Sequence, residues 1–314
     1  MTFATKVLKK ISVLTKKLPD HRKLKQLYKH FNKIGLVLGA DRIVISEMKD
    51  GTKMQVDLTT RTERISFYTG KYDSYFLEVI KSLFKTDSCF LDVGANIGFY
   101  TIAMGNYIKE KNANSQVISF EPFEGNYKRL KDNVKLNALE SFCVLNAYGL
   151  SDKIKETQIT LREDFKHGSN TGNAAIQTST DMDKGFKLSP IKLKVLDEVW
   201  VKDFVNIGNI DMIKMDIEGH EDFCLKGGQK TLEKYRPTIF MEVNKPYYDA
   251  RKVEIDTIFL KLIPNNYNIY RPIGLKWMQI TSLNKCSKID NVFLVPIEKL
   301  ATKGYEIFKI NINN

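Results

Sequence analysis

Phe90-Leu91-Asp92-Val93-Gly94-Ala95-Asn96-Ile97-Gly98-Phe99-Tyr100 runs an apolar strand into an acidic residue and a glycine-punctuated turn. Cys89 to Val93 is a short apolar run of the kind that fills the centre of a sheet. Gly94 and Gly98 let the backbone turn tightly and approach a ligand, and Phe99 to Ile108 continues as a helix. Such a turn also arises for packing alone, so two further details decide its use. Dinucleotide folds place G-x-G-x-x-G here, and phosphate-binding loops place a Lys with a Ser or Thr after the last Gly. This turn reads D-x-G-x-N-x-G with no following Lys, which suits a nucleoside without phosphates. The next strand, Gln116 to Phe120, ends in Glu121-Pro122, with Glu121 standing 23 residues beyond Gly98. A carboxylate at that place accepts both hydroxyls of a ribose.

A third run, Lys214-Met215-Asp216-Ile217-Glu218-Gly219-His220-Glu221, follows a later apolar strand. Taken with Asp92 to Thr101 and Phe120-Glu121-Pro122, it resembles the FkbM-type family of S-adenosylmethionine-dependent methyltransferases. The likeness extends from about Gly70 to Pro296, with softer matches at Gly70-Lys71-Tyr72-Asp73, Asn170-Thr171-Gly172 and Leu196-Asp197. The first motif alone would suit any class I methyltransferase, whereas K-x-D-x-E-G-x-E is much more particular. The resemblance implies an α/β, Rossmann-like class I fold and S-adenosylmethionine as cofactor. It places Asp92, Gly94, Asn96 and Gly98 around the methionine moiety and Glu121 on the ribose. It also implies O-methylation, which in this family is associated with sugars, surface polysaccharides and polyketide-type products.

Composition agrees with a globular enzyme. The chain of 314 residues suffices for one sizeable α/β domain with additions, and its 43% hydrophobic and 27% charged residues are ordinary. Cys89, Cys143, Cys224 and Cys286 lie far apart with no C-x-x-C pair, which suggests reduced core residues and neither a zinc site nor a disulfide framework. No stretch has the length of a bilayer-spanning helix, and the expected setting is the cytoplasm.

The formal charge of +12 is concentrated at the start, where residues 1–36 hold ten Lys or Arg against one acid, Asp20. Val7, Ile11, Leu14 and Leu18 fall on one helical face, Pro19-Asp20 interrupts, and Leu24, Leu27, Tyr28 and Phe31 form a second stripe. Two readings stand: these helices lie on an anionic membrane at its inner face, or they pack on the domain or a second subunit. Nucleic-acid binding ranks below both, because the segment lacks interleaved aromatics and base-reading signatures. Amino methylation of bases also lacks its D-P-P-Y or N-P-P-Y run, and carbon methylation its Pro-Cys nucleophile; ribose methylation stays open.

Along the chain, Lys49-Asp50-Gly51-Thr52 signals a hairpin between Arg42–Glu47 and Lys53–Asp57. The organisation expected is a basic helical segment over 1–36, a β-hairpin extension over 37–70, the methyltransferase domain over 71–298 and a tail over 299–314. Strands alternate with helices, which predicts a mostly parallel seven-stranded sheet with helices on both faces and an antiparallel strand near its end. Glu163 to Ser189 breaks the pattern and reads as a polar loop, with the role of a lid or acceptor-binding segment through Asn170; His167 reads as a solvated loop residue.

Methyl transfer to a hydroxyl needs a base or a metal ion beside the acceptor. Asp216, Glu218 and His220 are the candidate catalytic residues, and Glu242, ending the strand Thr238 to Glu242, joins Asn170 as an acceptor contact. Asp216 and Glu242 together would suit Mg²⁺. Glu218, His220 and Glu221 are equally placed to cap the helix that follows.

Overall fold

The computed structural model describes residues 1–19, 21–161, 174–176, 187–204 and 207–309. The chain opens with α1 (Phe3–Thr15), α2 (Arg22–Val37), the hairpin strands β1 (Ile43–Glu47) and β2 (Lys53–Asp57), and α3 (Arg61–Thr69). The hairpin turns as its Asp-Gly pair predicts, with Gly51 at φ 82° and Asp50 Oδ1 accepting from Thr52 N at 3.1 Å. In α1 the buried face is Ala4, Thr5, Leu8, Ser12 and Thr15. Of the two readings of the apolar stripe, packing on the domain holds for Ile11 alone, while Val7, Leu14 and Leu18 are exposed. Hydrogen bonding decides the orientation, since Ser12 Oγ donates to Phe67 O and Thr15 Oγ1 to Tyr68 O, both at 2.7 Å. The second stripe fares better. Tyr28 is buried and stacks on Tyr68 at 5.0 Å, although Leu27 faces out.

Helix α4 (Ser74–Leu83) leads into β3 (Cys89–Val93), α5 (Phe99–Glu110), β4 (Gln116–Phe120), α6 (Glu124–Leu136) and β5 (Cys143–Asn146). Next come β6 (Gly149–Ser151), β7 (Lys155–Leu161), β8 (Ala174–Ile176) and β9 (Lys187–Val195), then α7 (Leu196–Asp203) and β10 (Ile210–Met215). The chain continues through α8 (Glu221–Gly227), α9 (Gln229–Tyr235), β11 (Thr238–Asn244), α10 (Lys245–Ala250), α11 (Ile255–Leu262), β12 (Tyr267–Ile273), β13 (Lys276–Ile280) and β14 (Ile289–Pro296).

The main sheet has the order β13-β12-β14-β11-β10-β3-β4-β5. From β11 to β5 every pairing is parallel, and β14, β12 and β13 add antiparallel pairings at the other edge. β3 lies inside the sheet, buried throughout, because both its faces meet helices. Alternation sorts its side chains: Phe90 joins a core with Ile80, Ile102 and Leu130 of α4, α5 and α6, and Leu91 joins one with Val199, Leu225 and Phe259 of α7, α8 and α11.

The sheet has eight strands where seven were expected. The extra one, β13, forms because Gly274, at φ 61°, turns the chain back within two residues and lets Trp277 bury against Phe293 and Phe308. The segment beyond Pro296 packs as well, with Tyr305 and Phe308 buried in the same region. Between β5 and β10 the expected polar loop is partly strand. β6, β9, β7 and β8 form a second sheet in that order, with Ile159, Ile191 and Leu193 as its small core. His167 and Asn170 lie outside the described residues.

Polar groups hold the N-terminal extension to the domain. Asn133 Oδ1 accepts from Gln55 N at 2.7 Å, and Asn137 Oδ1 accepts from Lys53 N at 2.8 Å. Arg129 makes a two-pronged pair with Glu63, at 2.6 and 3.2 Å, and also donates to Gln55 O at 2.6 Å. These bonds bring the start of α3 up to the carboxyl edge of the sheet.

Candidate active site

The carboxyl ends of β3, β4, β10 and β11 surround a cavity of about 300 Å³. Its floor is set by glycine chemistry: Gly94 has φ 78°, and a Cβ there would stand 2.0 Å from Asp216 O. Only glycine lets the turn after β3 meet the end of β10 so closely. Asn96 is also left-handed, at φ 50°, and its Oδ1 accepts from Ile97 N at 2.8 Å.

Of the residues expected around the cofactor, Gly94, Asn96 and Glu121 line the cavity; Asp92 and Gly98 do not. Asp92 is fully buried beneath the turn, where Thr101 Oγ1 donates to it at 2.7 Å and Lys214 Nζ stands 3.5 Å away. Gly98 starts α5 against Leu130. Both brace the turn from behind.

Glu121 is buried, and its two oxygens accept from Asn96 N at 2.8 Å and Phe123 N at 2.9 Å. Burial raises its pKa to about 7, with the two backbone N–H groups opposing the rise. Each oxygen keeps a lone pair for a further donor. On the same wall, Asn126 is buried and its Oδ1 has no hydrogen-bond partner among the described residues. A ligand bearing hydroxyl and N–H donors satisfies both groups, so this side of the cavity fits the nucleoside of S-adenosylmethionine. Thr60, Thr62 and Glu63, at and after the start of α3, complete the wall.

Opposite, Asp216, Glu218, Glu242 and Asn244 converge on the cavity. Lys214 was quoted in the motif without a role, and it joins the two halves. Its buried Nζ donates to Gly94 O at 2.9 Å and lies 3.7 Å from Asp216 Oδ2 and 5.3 Å from the centre of the Tyr100 ring. Burial disfavours its ammonium, yet Asp92 and Asp216 outweigh that and hold its pKa above the ordinary value. Glu242 is pushed up to about 9, first by burial and then by Asp216, Glu218 and Glu221, so it carries a proton at neutral pH.

His220 also borders the cavity, but it is buried, stacked on Phe223 at 4.6 Å, and its Nε2 is 2.9 Å from Ser151 Oγ. Burial, with Lys155 and Arg251 nearby, drives its pKa down to about 3, which makes it a poor base. Glu221 accepts from Ile217 N at 3.0 Å and Gly219 N at 3.3 Å, and from the Tyr248 hydroxyl. It thereby clamps the turn that carries Asp216 and Glu218.

Tyr72 and Phe99 stack at 4.1 Å and 5° on the side nearest α4, and Ile159, Ile176, Ile217 and Ile289 add an apolar rim. Tyr72 belongs to the quoted Gly70 to Asp73 lead-in, whose aromatic member was the available signal. Among the described residues no group of three or more His, Cys, Asp or Glu side chains is gathered to hold a metal ion. The cation beside Asp216 is the Lys214 ammonium, and the Mg²⁺ expectation finds no support. Nor is any helix among those residues long and apolar enough to cross a membrane.

A parallel sheet with the crossover between β3 and β10, an acid-ended second strand and a cavity whose Glu121 wall fits a nucleoside define a Rossmann-like, S-adenosylmethionine-dependent methyltransferase. Comparison with known proteins agrees. The Methyltransferase FkbM domain matches residues 92–269, more than half of the chain, and the chain belongs to that family. It is similar to "Methyltransferase sdnD" of Sordaria araneosa, 27% identical over 204 residues that cover 52% of this chain and 73% of the other. It is similar also to "Methyltransferase 1" of Beauveria bassiana, 25% identical over 154 residues, 46% of this chain and 59% of that one. Among solved structures, Methyltransferase FkbM from Methylobacillus flagellatus aligns with a TM-score of 0.41 and 17% identity, over 77% of this chain and 56% of that one. TYW2 of P. horikoshii in complex with MeSAdo aligns with a TM-score of 0.38 and 12% identity, over 92% and 97%.

Proposed function

We propose that the protein methylates a hydroxyl oxygen of a sugar, glycolipid or polysaccharide precursor in the cytoplasm, with Asp216 as the proton acceptor. The observation that carries this reading is the two-sided cavity, with Glu121 and Asn126 on one wall and Asp216, Glu218, Glu242 and Asn244 on the other. Carboxyl and amide groups in such density suit a polyhydroxylated acceptor. The four buried free cysteines support a reducing setting.

When bound, S-adenosylmethionine supplies an electrophilic methyl group on a positively charged sulfur. Glu121, Asn96 and Asn126 would hold its nucleoside. Asp216 receives the acceptor's hydroxyl proton on its carboxylate as the oxygen gains the methyl group, and Glu242, protonated, donates a hydrogen bond that fixes the acceptor. Lys214 keeps Asp216 in register with the turn at Gly94. The apolar rim of Ile159, Ile176, Ile217 and Ile289 also favours a second reading, a natural-product hydroxyl on a largely apolar skeleton.

Titration calorimetry with S-adenosylmethionine tests the cofactor part, with any ligand that co-purifies identified first. Binding by the wild type that weakens at least tenfold in Glu121→Ala is expected. No binding by an initially ligand-free protein would sink the enzyme reading. With a panel of glycan and natural-product acceptors, Asp216→Asn should lower kcat more than tenfold while cofactor affinity changes little; equal turnover would remove Asp216 from the mechanism.

A further inference from the structure

Half of the exposed large apolar side chains of the described residues, ten of twenty, lie within the first 38 residues. Scattered singly they would be unremarkable surface, but they are ordered along the two basic helices. In α1, Phe3, Val7 and Leu14 are 83%, 39% and 65% exposed, and at about 100° per residue they fall within an arc of about 40°. Lys6, Lys10 and Lys17 border that arc along one side and are exposed, whereas Lys16 turns inward to donate to Glu47 O at 2.6 Å. In α2, Leu27 and Ile34 are 43% and 59% exposed on one side, and Leu38 continues the row at 71%. Lys23 and His30 are exposed along it. Neither helix contains an acidic residue.

The opposite faces are already occupied. α1 is bonded to α3 through Ser12 and Thr15, and Asn32 Nδ2 of α2 donates to Leu58 O at 2.8 Å. The helices are held on the domain by Leu8, Ile11, Leu24 and Tyr28 as well as by these polar bonds, while a second set of long apolar side chains points to solvent beside lysines. An ordinary surface helix keeps that outer face polar. A protein partner would match apolar residues in a shaped pocket, and a nucleic acid would leave Phe3 and Leu14 unused. An anionic lipid surface takes both parts: apolar side chains enter the interface, and ammonium groups meet phosphate headgroups.

We propose that α1 and α2 dock the enzyme on an anionic membrane surface through Phe3, Val7, Leu14, Leu27 and Ile34. Each lysine near such a surface adds attraction, and this part weakens with salt. The docking face stands apart from the acceptor reading, because it lies on the N-terminal helices and uses no residue of the cavity.

The test is co-sedimentation of the full chain with vesicles of phosphatidylcholine alone and of phosphatidylcholine mixed equally with phosphatidylglycerol. Pelleting with the mixed vesicles and not with the neutral ones is expected, with at least tenfold weaker binding for Val7→Ser plus Leu14→Ser and for Lys6→Glu plus Lys10→Glu. Both pairs are on the surface, so their melting temperature and S-adenosylmethionine affinity should match the wild type. No pelleting with anionic vesicles, or equal pelleting of the variants, overturns the proposal. Two other results also overturn it: duplex RNA bound in preference to vesicles, or a dimer in sedimentation velocity that the Val7→Ser plus Leu14→Ser protein fails to form.

Discussion

At Lys214 a buried ammonium is held by one carbonyl and two carboxylates, at 2.9, 3.5 and 3.7 Å. Removing it leaves Asp92 a buried charge without its cation, so Lys214→Met should cost about 3–5 kcal/mol in urea unfolding. The companion Lys214→Met plus Asp92→Asn should recover much of that loss. If the double change is as unstable as the single one, the pair is not the reason for the burial. Lys214 was in view as a motif letter, yet spacing along a strand cannot tell which face a side chain takes or what it meets there. Asp92 was legible as a functional position, but its service is beneath the turn because β3 is covered on both faces. His220 was legible as a titratable group, and only its burial against Phe223 and Ser151 showed that it stays neutral.

Among the elements, the hairpin and α3 are the part whose position matters most beyond the sheet. Arg129 couples them to α6, and Thr60, Thr62 and Glu63 reach the cavity. Arg129→Met should take the cation from the buried Glu63 carboxylate, lower stability by about 3–5 kcal/mol and weaken S-adenosylmethionine binding together with it. Glu63→Gln added to Arg129→Met should restore stability in part, a coupling that a double-mutant cycle measures. Elements of the parallel core were readable because each has an apolar run bounded by turn residues. β13 and the β7–β9 pair were not, since their alternation is short and Pro190 interrupts β9. Which way the apolar stripe of α1 faces stayed open in the sequence for a related reason: Ser12 and Thr15 bury through hydrogen bonds to α3, which a hydrophobicity pattern does not register.

Across the whole molecule, buried carboxyls set the response to pH. Glu121 and Glu221 rise to about 7 and Glu242 to about 9, from 4.5. The native state therefore binds more protons than the unfolded chain above pH 4.5, and stability falls as pH rises through these values. His220 acts in the other direction, lowered from 6.5 to about 3, so its contribution is lost as pH falls below 6.5. By calorimetry the melting temperature should decline between pH 7 and 9, and Glu242→Gln should flatten that decline. An unchanged slope would mean that Glu242 is not protonated in the folded protein. The sequence by itself determined the fold class, the glycine turn, Glu121 and the acidic run at Asp216, because these depend on residue type within one strand and its following turn. Tertiary structure alone decided that Lys214 ties the turn at Gly94 to Asp216, that α3 walls the cavity, and that Val7 and Leu14 of α1 face outward. Each of those depends on contacts between residues far apart in the chain, and only packing brings them within reach of one another.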